Sequence, residues 1–171
     1  INWDDFDAVI IRSTWDYQQK EKLFFKTLQS IEASSATLYN SLDIVKWNIH
    51  KRYLLELEKE NISIIPTRIY DSFDFEIVSD LFSFFNENKL VIKPCVSANA
   101  DDTFILEQSK MENLKSVLEG TFSRKDFLVQ PFIKNVESEG EYSLIYFGNR
   151  LSHVLLKTPK NGDFRVQEEH G

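Results

Sequence analysis

Two short apolar runs around a long turn are the feature that most constrains the fold. Residues 90–94 are an apolar run with Lys93 and Pro94 at its end, residues 95–103 are small or polar, and residues 104–106 are apolar again. This pattern predicts a β-hairpin, although its turn is longer than the two-residue connections common in hairpins. A strand lysine beside exposed amides suits a polyphosphate. The alternative is a lysine whose stem lies on apolar surface while its ammonium stays in water.

Charge and composition narrow the class of function. The 171 residues are 42% hydrophobic and 13% aromatic, as in folded globular proteins. The net charge of −7 argues against a nucleic-acid partner, because such proteins neutralise phosphates with a basic face. A single cysteine, Cys95, favours a reduced, cytoplasmic setting. No apolar run reaches the ~18 residues typical of a membrane helix, and no signal peptide is visible, so we expect no membrane partner.

Apolar periodicity predicts alternating strands and helices. The continuous run 8–11 predicts a strand buried on both faces of a parallel sheet. Arg12 and Asp16 follow it, at the strand end where ligand crevices form. The alternative is that Asp16 caps the next helix and pairs with Arg12. Helices are predicted over 18–31, 49–60, 74–86 and 111–122, and strands over 62–67, 127–133, 141–147 and 150–157.

Several local signals refine these elements. Asn40 or Ser41 is predicted to cap a short helix, and Asn48 to cap the helix 49–60. That would place Lys51 in a first helical turn, where a cation is unfavourable by less than about 1 kcal/mol and weakly indicates a nearby anion. Gly120 is predicted to close its helix. The aromatic stripe of helix 74–86 is predicted to be core.

In their order, these motifs resemble the ATP-grasp superfamily, and within it the prokaryotic glutathione-synthetase-like proteins. The matching stretches cover nearly the whole chain and are residues 12–17, 47–51, 91–94, 129–132, 139–141 and 163–171. The resemblance implies an α+β fold in which two α/β subdomains clamp a nucleotide. It divides the chain into a remnant of an N-terminal domain (1–36), a central subdomain (37–129) and a truncated C-terminal subdomain (130–171). We therefore expect the chain to be a piece of a longer protein.

The resemblance also implies a role for individual residues. Lys51 and Lys93 match lysines that hold the α- and β-phosphates of ATP, and residues 97–103 match the loop that closes over the phosphates. The residues expected to contact the nucleotide are Lys51, Lys93, Ser97, Asn99, Thr103, Gln130, Pro131, Phe132, Ile133 and Glu137, with 130–133 as the hinge beside the adenine and Glu137 near the ribose. Lys157 and Arg165 match basic residues that face the γ-phosphate or acyl-phosphate, which makes them candidate catalytic residues. Arg12 and Asp16 are candidate substrate-side residues.

The implied activity is an ATP-dependent carboxylate–amine ligase that forms an acyl-phosphate from small-molecule substrates. Two features depart from the family. Residues 97–103 contain no glycine, although Asn99 tolerates left-handed backbone geometry. The Mg²⁺ ligands are expected beyond Gly171, with Glu168 and Glu169 as loop charges, so we expect this piece alone to be inactive. The alternative is a nucleotide-binding module without transfer chemistry. The sequence leaves the acid, the amine and a homo-oligomer open.

Overall fold

A computed structural model describes residues 1–12, 14 and 16–159. Its strands and helices, in chain order, are β1 (Ala8–Ile10), α1 (Glu21–Glu32), β2 (Thr37–Tyr39), α2 (Leu42–Asn48), α3 (Tyr53–Lys59), β3 (Arg68–Tyr70), α4 (Phe75–Phe85), β4 (Lys89–Pro94), β5 (Phe104–Glu107), α5 (Met111–Phe122), β6 (Phe127–Pro131), α6 (Asn135–Ser138), β7 (Glu141–Phe147) and β8 (Arg150–Lys157). None of the described helices has the length and apolar character needed to cross a bilayer.

Strands β1 and β2 form a small parallel sheet in which Val9 lies opposite Leu38. Leu28 and Ile31 of α1 are buried against it. The predicted parallel pairing is correct, but burial of β1 on both faces is wrong: Ile10 is 71% exposed. Among the described residues β2 is its sole strand neighbour. The predicted boundary between residues 36 and 37 assigns β1 to the N-terminal remnant and β2 to the central subdomain. In the structure these two strands pair with each other.

The central sheet has four antiparallel strands in the order β3-β6-β4-β5. The predicted hairpin is present, with Leu90 opposite Leu106 and Ile92 opposite Phe104. Side chains alternate along β4, because successive residues of a strand point to opposite faces. Leu90 and Ile92 are fully buried. Lys93 therefore projects from the opposite face of the sheet.

Helices α4 and α5 cover the apolar face of this sheet. Asp74 caps α4 by accepting a hydrogen bond from the Ile77 N–H. The predicted aromatic stripe of α4 is part of the core. The core cluster consists of Val78, Leu81, Phe82, Leu90, Ile92, Leu106, Met111, Leu118, Phe122, Phe127 and Val129, with Phe75 and Phe85 packed against it.

Helix boundaries differ from the prediction around Lys51. Ser41 caps α2 as expected, by accepting from the Ile44 N–H. Asn48, however, is the last residue of α2, and α3 begins at Tyr53. Lys51 lies in the turn between the two helices, where its backbone N–H donates to Cys95 O at 2.9 Å. This tertiary bond fastens the turn to the end of β4.

Two further element predictions are wrong. Residues 62–67 do not form a strand, and β3 begins after Pro66, at Arg68, consistent with the missing N–H of proline. Gly120 lies inside α5 rather than at its end.

The predicted final hairpin, β7–β8, is present, and Gly148 and Asn149 at its turn both have positive φ. Positive φ at both central residues is typical of the hairpin turns that match strand twist. The base of the hairpin depends on Gly140. Its φ is +99°, and a Cβ there would lie 2.3 Å from Lys157 O.

Gly140→Ala is therefore expected to destabilise the chain by on the order of 1–3 kcal/mol, measured as the free energy of unfolding in urea. Gly120→Ala is the matched control, because a Cβ at position 120 meets no atom within 4 Å. Alanine favours a helix interior over glycine by roughly 0.5–1 kcal/mol, so the control should gain stability. Equal effects of the two changes would contradict the close approach at Gly140.

Candidate functional site

One cleft brings most of the predicted site residues together. It has a volume of about 320 Å³ and is lined by Lys51, Ile65, Val91, Lys93, Ser97, Ala98, Asn99, Ala100, Thr103, Gln130, Pro131, Phe132, Ile133, Val136 and Glu141. The cleft lies on the face of the central sheet opposite α4 and α5. It is cationic and polar near the lysines and mostly apolar near residues 130–133. Both lysines therefore share one cleft with the predicted hinge.

Strand register positions Lys93 and Gln130. Val91 lies opposite Gln130 and Lys93 opposite Leu128 in the β4–β6 pair. Directly opposed residues of an antiparallel pair project from the same face, so all four side chains point away from the helices. The central sheet thus forms the floor of the cleft.

Lys51 reaches this floor from the turn between α2 and α3. Its Nζ donates to Ser97 Oγ at 2.7 Å, Ser97 O at 3.3 Å and Cys95 O at 3.4 Å. Burial, together with the positive charge of Lys93, lowers the pKa of Lys51 to about 8. Burial also lowers the pKa of Lys93, against the opposing effect of Glu141. Two crowded ammonium groups in a partly buried cleft favour an anionic ligand.

The lowered pKa of Lys51 predicts a pH dependence of phosphate-ligand affinity. A bound polyphosphate raises the pKa of the ammonium, so affinity should fall by up to about tenfold per pH unit as pH rises above 8. Calorimetric titrations with ATP between pH 7 and 9.5 measure this fall in affinity. Lys51→Arg is the control: arginine stays charged, and a decline as steep as in the wild type would assign the effect to another group.

Stability should respond in the opposite direction. The ordinary lysine pKa is 10.5 and that of folded Lys51 is about 8, so between these values the unfolded chain binds more protons. The free energy of unfolding contributed by Lys51 therefore rises as pH rises from 8 towards 10.5. Below pH 8, the buried charge opposes folding. Urea unfolding across the same pH range provides a second measurement on the same side chain.

The glycine-free loop at residues 97–103 adopts left-handed geometry. Asn99, Ala100 and Asp102 have φ values of 53°, 58° and 51°. Asparagine and aspartate tolerate this region better than other residues with a Cβ, and alanine is disfavoured there. The loop thus reaches the conformations that glycine usually supplies, at a cost in backbone strain.

Contacts from outside the loop hold it in place. The Tyr17 hydroxyl donates to Ser97 O at 3.3 Å, and Gln18 Nε2 donates to Asp101 Oδ2 at 3.1 Å. Lys125 Nζ lies 2.6 Å from Asp102 Oδ2. The two loop carboxylates therefore have partners other than the lysines of the cleft.

The predicted hinge is braced by Lys89. Its backbone oxygen accepts from the Phe132 N–H at 3.1 Å, and its Nζ lies 3.9 Å from the centroid of the Phe132 ring. The same Nζ is 3.3 Å from Glu137 Oε1. Glu137, predicted near the ribose, is thus held in an ion pair and does not line the cleft. Glu141, which the sequence reasoning missed, lines it instead.

The remaining predicted residues lie elsewhere. Lys157 pairs with Glu141 at 3.2 Å and does not line the cleft, and Arg165 lies outside the described residues. Arg12 and Asp16 line a separate cavity of about 530 Å³ beside α1. Asp16 pairs with Lys20 at 2.6 Å, not with Arg12, and it does not cap α1, whose N-cap residue is Lys20.

Within residues 1–12, 14 and 16–159, no group of three or more His, Cys, Asp or Glu side chains could hold a metal ion. Glu141 is the carboxylate that lines the described cleft, and its partner is Lys157. Mg²⁺ bound by protein usually takes one or two carboxylates together with phosphate oxygens and waters.

Comparisons with known proteins agree with this architecture. The N-terminal domain family of D-cycloserine synthetase DcsG matches residues 1–40. Cycloserine biosynthesis protein DcsG of Streptomyces lavendulae is 25% identical over 161 residues, covering 92% of this chain and 54% of that protein. The crystal structure of D-cycloserine synthetase DcsG matches with a TM-score of 0.81 and 24% identity, over 92% of this chain and 54% of that one.

More distant structures share the fold. A RimK domain ATP-grasp protein of Sphaerobacter thermophilus DSM 20745 has a TM-score of 0.70 and 17% identity, over 90% of this chain and 56% of that one. The ATP-grasp ligase PsnB, complexed with minimal precursor, Mg and ADP, has a TM-score of 0.55 and 17% identity, over 88% of this chain and 52% of that one. The chain spans about half the length of these relatives. The chain therefore has the fold of the ATP-grasp proteins to which it is similar.

Proposed function

We propose that this chain is the ATP-binding part of an ATP-dependent ligase that joins a carboxylate to an amine through an acyl-phosphate. The observation that carries the proposal is the convergence of Lys51 and Lys93 with the hinge 130–133 in one cleft. Relatives named as a synthetase and as an ATP-grasp ligase support the reaction class.

The polarity of the cleft suggests the orientation of the nucleotide. Lys51, Lys93 and the loop 97–103 would hold the triphosphate, since ammonium groups and backbone N–H donors both suit anionic oxygens. Ile65 and Ile133 would contact the base, with the hinge backbone beside its edge. A bound triphosphate would take over the Lys51 ammonium from Ser97, which now accepts its shortest hydrogen bond.

The residues of this chain would contribute electrostatics and water exclusion. Phosphoryl transfer spreads negative charge over the transferred group, and catalysis consists mainly of positioning and charge stabilisation. A loop closed over the phosphates would keep water from a labile acyl-phosphate. We place the Mg²⁺ ligands outside the described residues, in the whole protein, and propose that this chain alone binds ATP without turning it over.

The test has two stages. Calorimetric titration of the chain with ATP should show binding, and ADP release by the whole protein should depend on a small carboxylic acid and an amino acid supplied together. Absence of ATP binding would overturn the nucleotide site. ATP consumption that does not depend on an acceptor would overturn the ligase assignment.

A binding module without transfer chemistry is the second candidate. The strained, glycine-free loop favours it, because Ala100 holds a left-handed conformation that glycine would adopt at lower cost. Tight ATP binding by the whole protein, with no ADP formed from any acid and amine pair, would select this candidate over the ligase.

A further inference from the structure

Two almost fully buried polar side chains meet at the edge of the cleft. Thr67 is 3% exposed and Gln130 is 5% exposed, and in the described part of the chain these are the polar side chains of the buried class. Gln130 Nε2 donates to Thr67 Oγ1 at 2.8 Å. Gln130 lines the cleft, whereas Thr67 lies behind it.

The hydroxyl of Thr67 determines how the Gln130 amide is oriented. Thr67 Oγ1 donates its proton to Ile65 O at 2.6 Å. A hydroxyl has one proton, so towards Gln130 the oxygen can only accept. An amide turned by 180° would bring its oxygen against a second oxygen with no proton between them. The bond to Ile65 therefore selects the orientation in which Nε2 faces Thr67.

This orientation presents Gln130 Oε1 to the cleft. Among the described residues no group donates to Oε1, and the atom is not one of the fully buried atoms without a partner. Since Gln130 lines the cleft beside residues 131–133, the open acceptor lies where the proposed nucleotide would place its base.

We propose that Thr67 is a positioning residue that makes the cleft selective for a purine with an amino group, not a carbonyl, on C6. The inference rests on the proposed nucleotide site. An amino group such as that on C6 of adenine donates to Oε1, whereas the C6 carbonyl of hypoxanthine or guanine meets it as a second acceptor. We expect a roughly 5- to 150-fold preference for ATP over ITP, which is the affinity equivalent of the about 1–3 kcal/mol that a buried unpaired acceptor costs.

Thr67→Val tests the inference, because valine keeps the shape of threonine and removes the hydroxyl. The Gln130 amide is then free to turn and to donate to the C6 carbonyl of ITP. We expect the ATP/ITP affinity ratio, measured by calorimetry, to narrow by about tenfold. Thr67→Ser keeps the hydroxyl and should retain the wild-type ratio.

The outcomes separate the inference from the proposed function. Binding of neither ATP nor ITP to the wild-type chain would overturn both. ATP binding with a ratio unchanged by Thr67→Val, in a variant that unfolds cooperatively, would overturn the inference alone. If Thr67→Val does not fold, NMR of the wild-type chain with ATP bound provides the test. The side-chain NH₂ protons of Gln130 should then exchange slowly with solvent, because their hydrogen bond to Thr67 Oγ1 persists. Rapid exchange would overturn the proposal.

Discussion

Lys93→Ala is expected to reduce the affinity of the chain for ATP by roughly 30- to 1000-fold, equivalent to a loss of about 2–4 kcal/mol. Lys93 is one of two ammonium groups in the cleft, and it projects from a strand that is paired on both sides. A rigid strand positions a charge precisely, so a neighbouring side chain cannot readily replace it. Calorimetric titration of wild type and variant measures the loss.

Lys110→Ala is the matched control for this experiment. Lys110 pairs with Glu107 on the exposed surface, outside the cleft, so removing it should leave ATP affinity unchanged. It alters net charge by the same amount as Lys93→Ala, which separates local binding from general electrostatic attraction. Equal losses in both variants, or none in Lys93→Ala, would remove the strand lysine from the site.

Phe127→Ala should destabilise the chain by about 3–5 kcal/mol, the typical cost of truncating a buried aromatic residue to alanine. Phe127 is fully buried. Its ring centroid lies 5.1 Å from that of Phe122, 5.6 Å from Tyr70 and 6.1 Å from Phe73. The substitution therefore leaves a cavity where α5 and two strands meet. Urea unfolding at constant pH measures the change.

Phe84→Ala is the control of the same residue type. Phe84 is 57% exposed, and Arg68 lies over its ring at 4.3 Å. Loss of this cation–π contact should cost about 0.5–1 kcal/mol. A shift in stability as large as that of Phe127→Ala would mean that the described core does not dominate the stability of the chain.

The β4–β5 hairpin of the central sheet could be predicted because its signals are local. The apolar residues of β4 and β5 flank a run of small and polar residues, and the register follows from which face must be buried. Helix α4 could be predicted for the same reason, since its apolar stripe repeats at helical spacing. These elements supply the floor of the cleft and the position of Lys93.

Other features depend on contacts that local patterns do not encode. The turn that carries Lys51 is defined by a bond to Cys95, 44 residues away. Glu137 and Glu141 are both carboxylates that follow the hinge closely in sequence. Glu137 lies on the short helix α6 and pairs with Lys89, which leaves Glu141 as the one that reaches the cleft. Nothing in the local sequence distinguishes Thr67, because its hydrogen-bond partner, Gln130, lies 63 positions later in the chain.

The alternation of β4 has a consequence for how such a chain can diverge. Because facing inward and facing outward alternate at each residue, deleting one residue between Leu90 and Lys93 would turn the ammonium into the apolar core and a branched aliphatic residue into the cleft. We therefore expect natural selection to remove insertions and deletions within this strand, whereas the loop that follows it can gain or lose residues. Aligned natural variants would show gaps after Cys95 and none between Lys89 and Pro94.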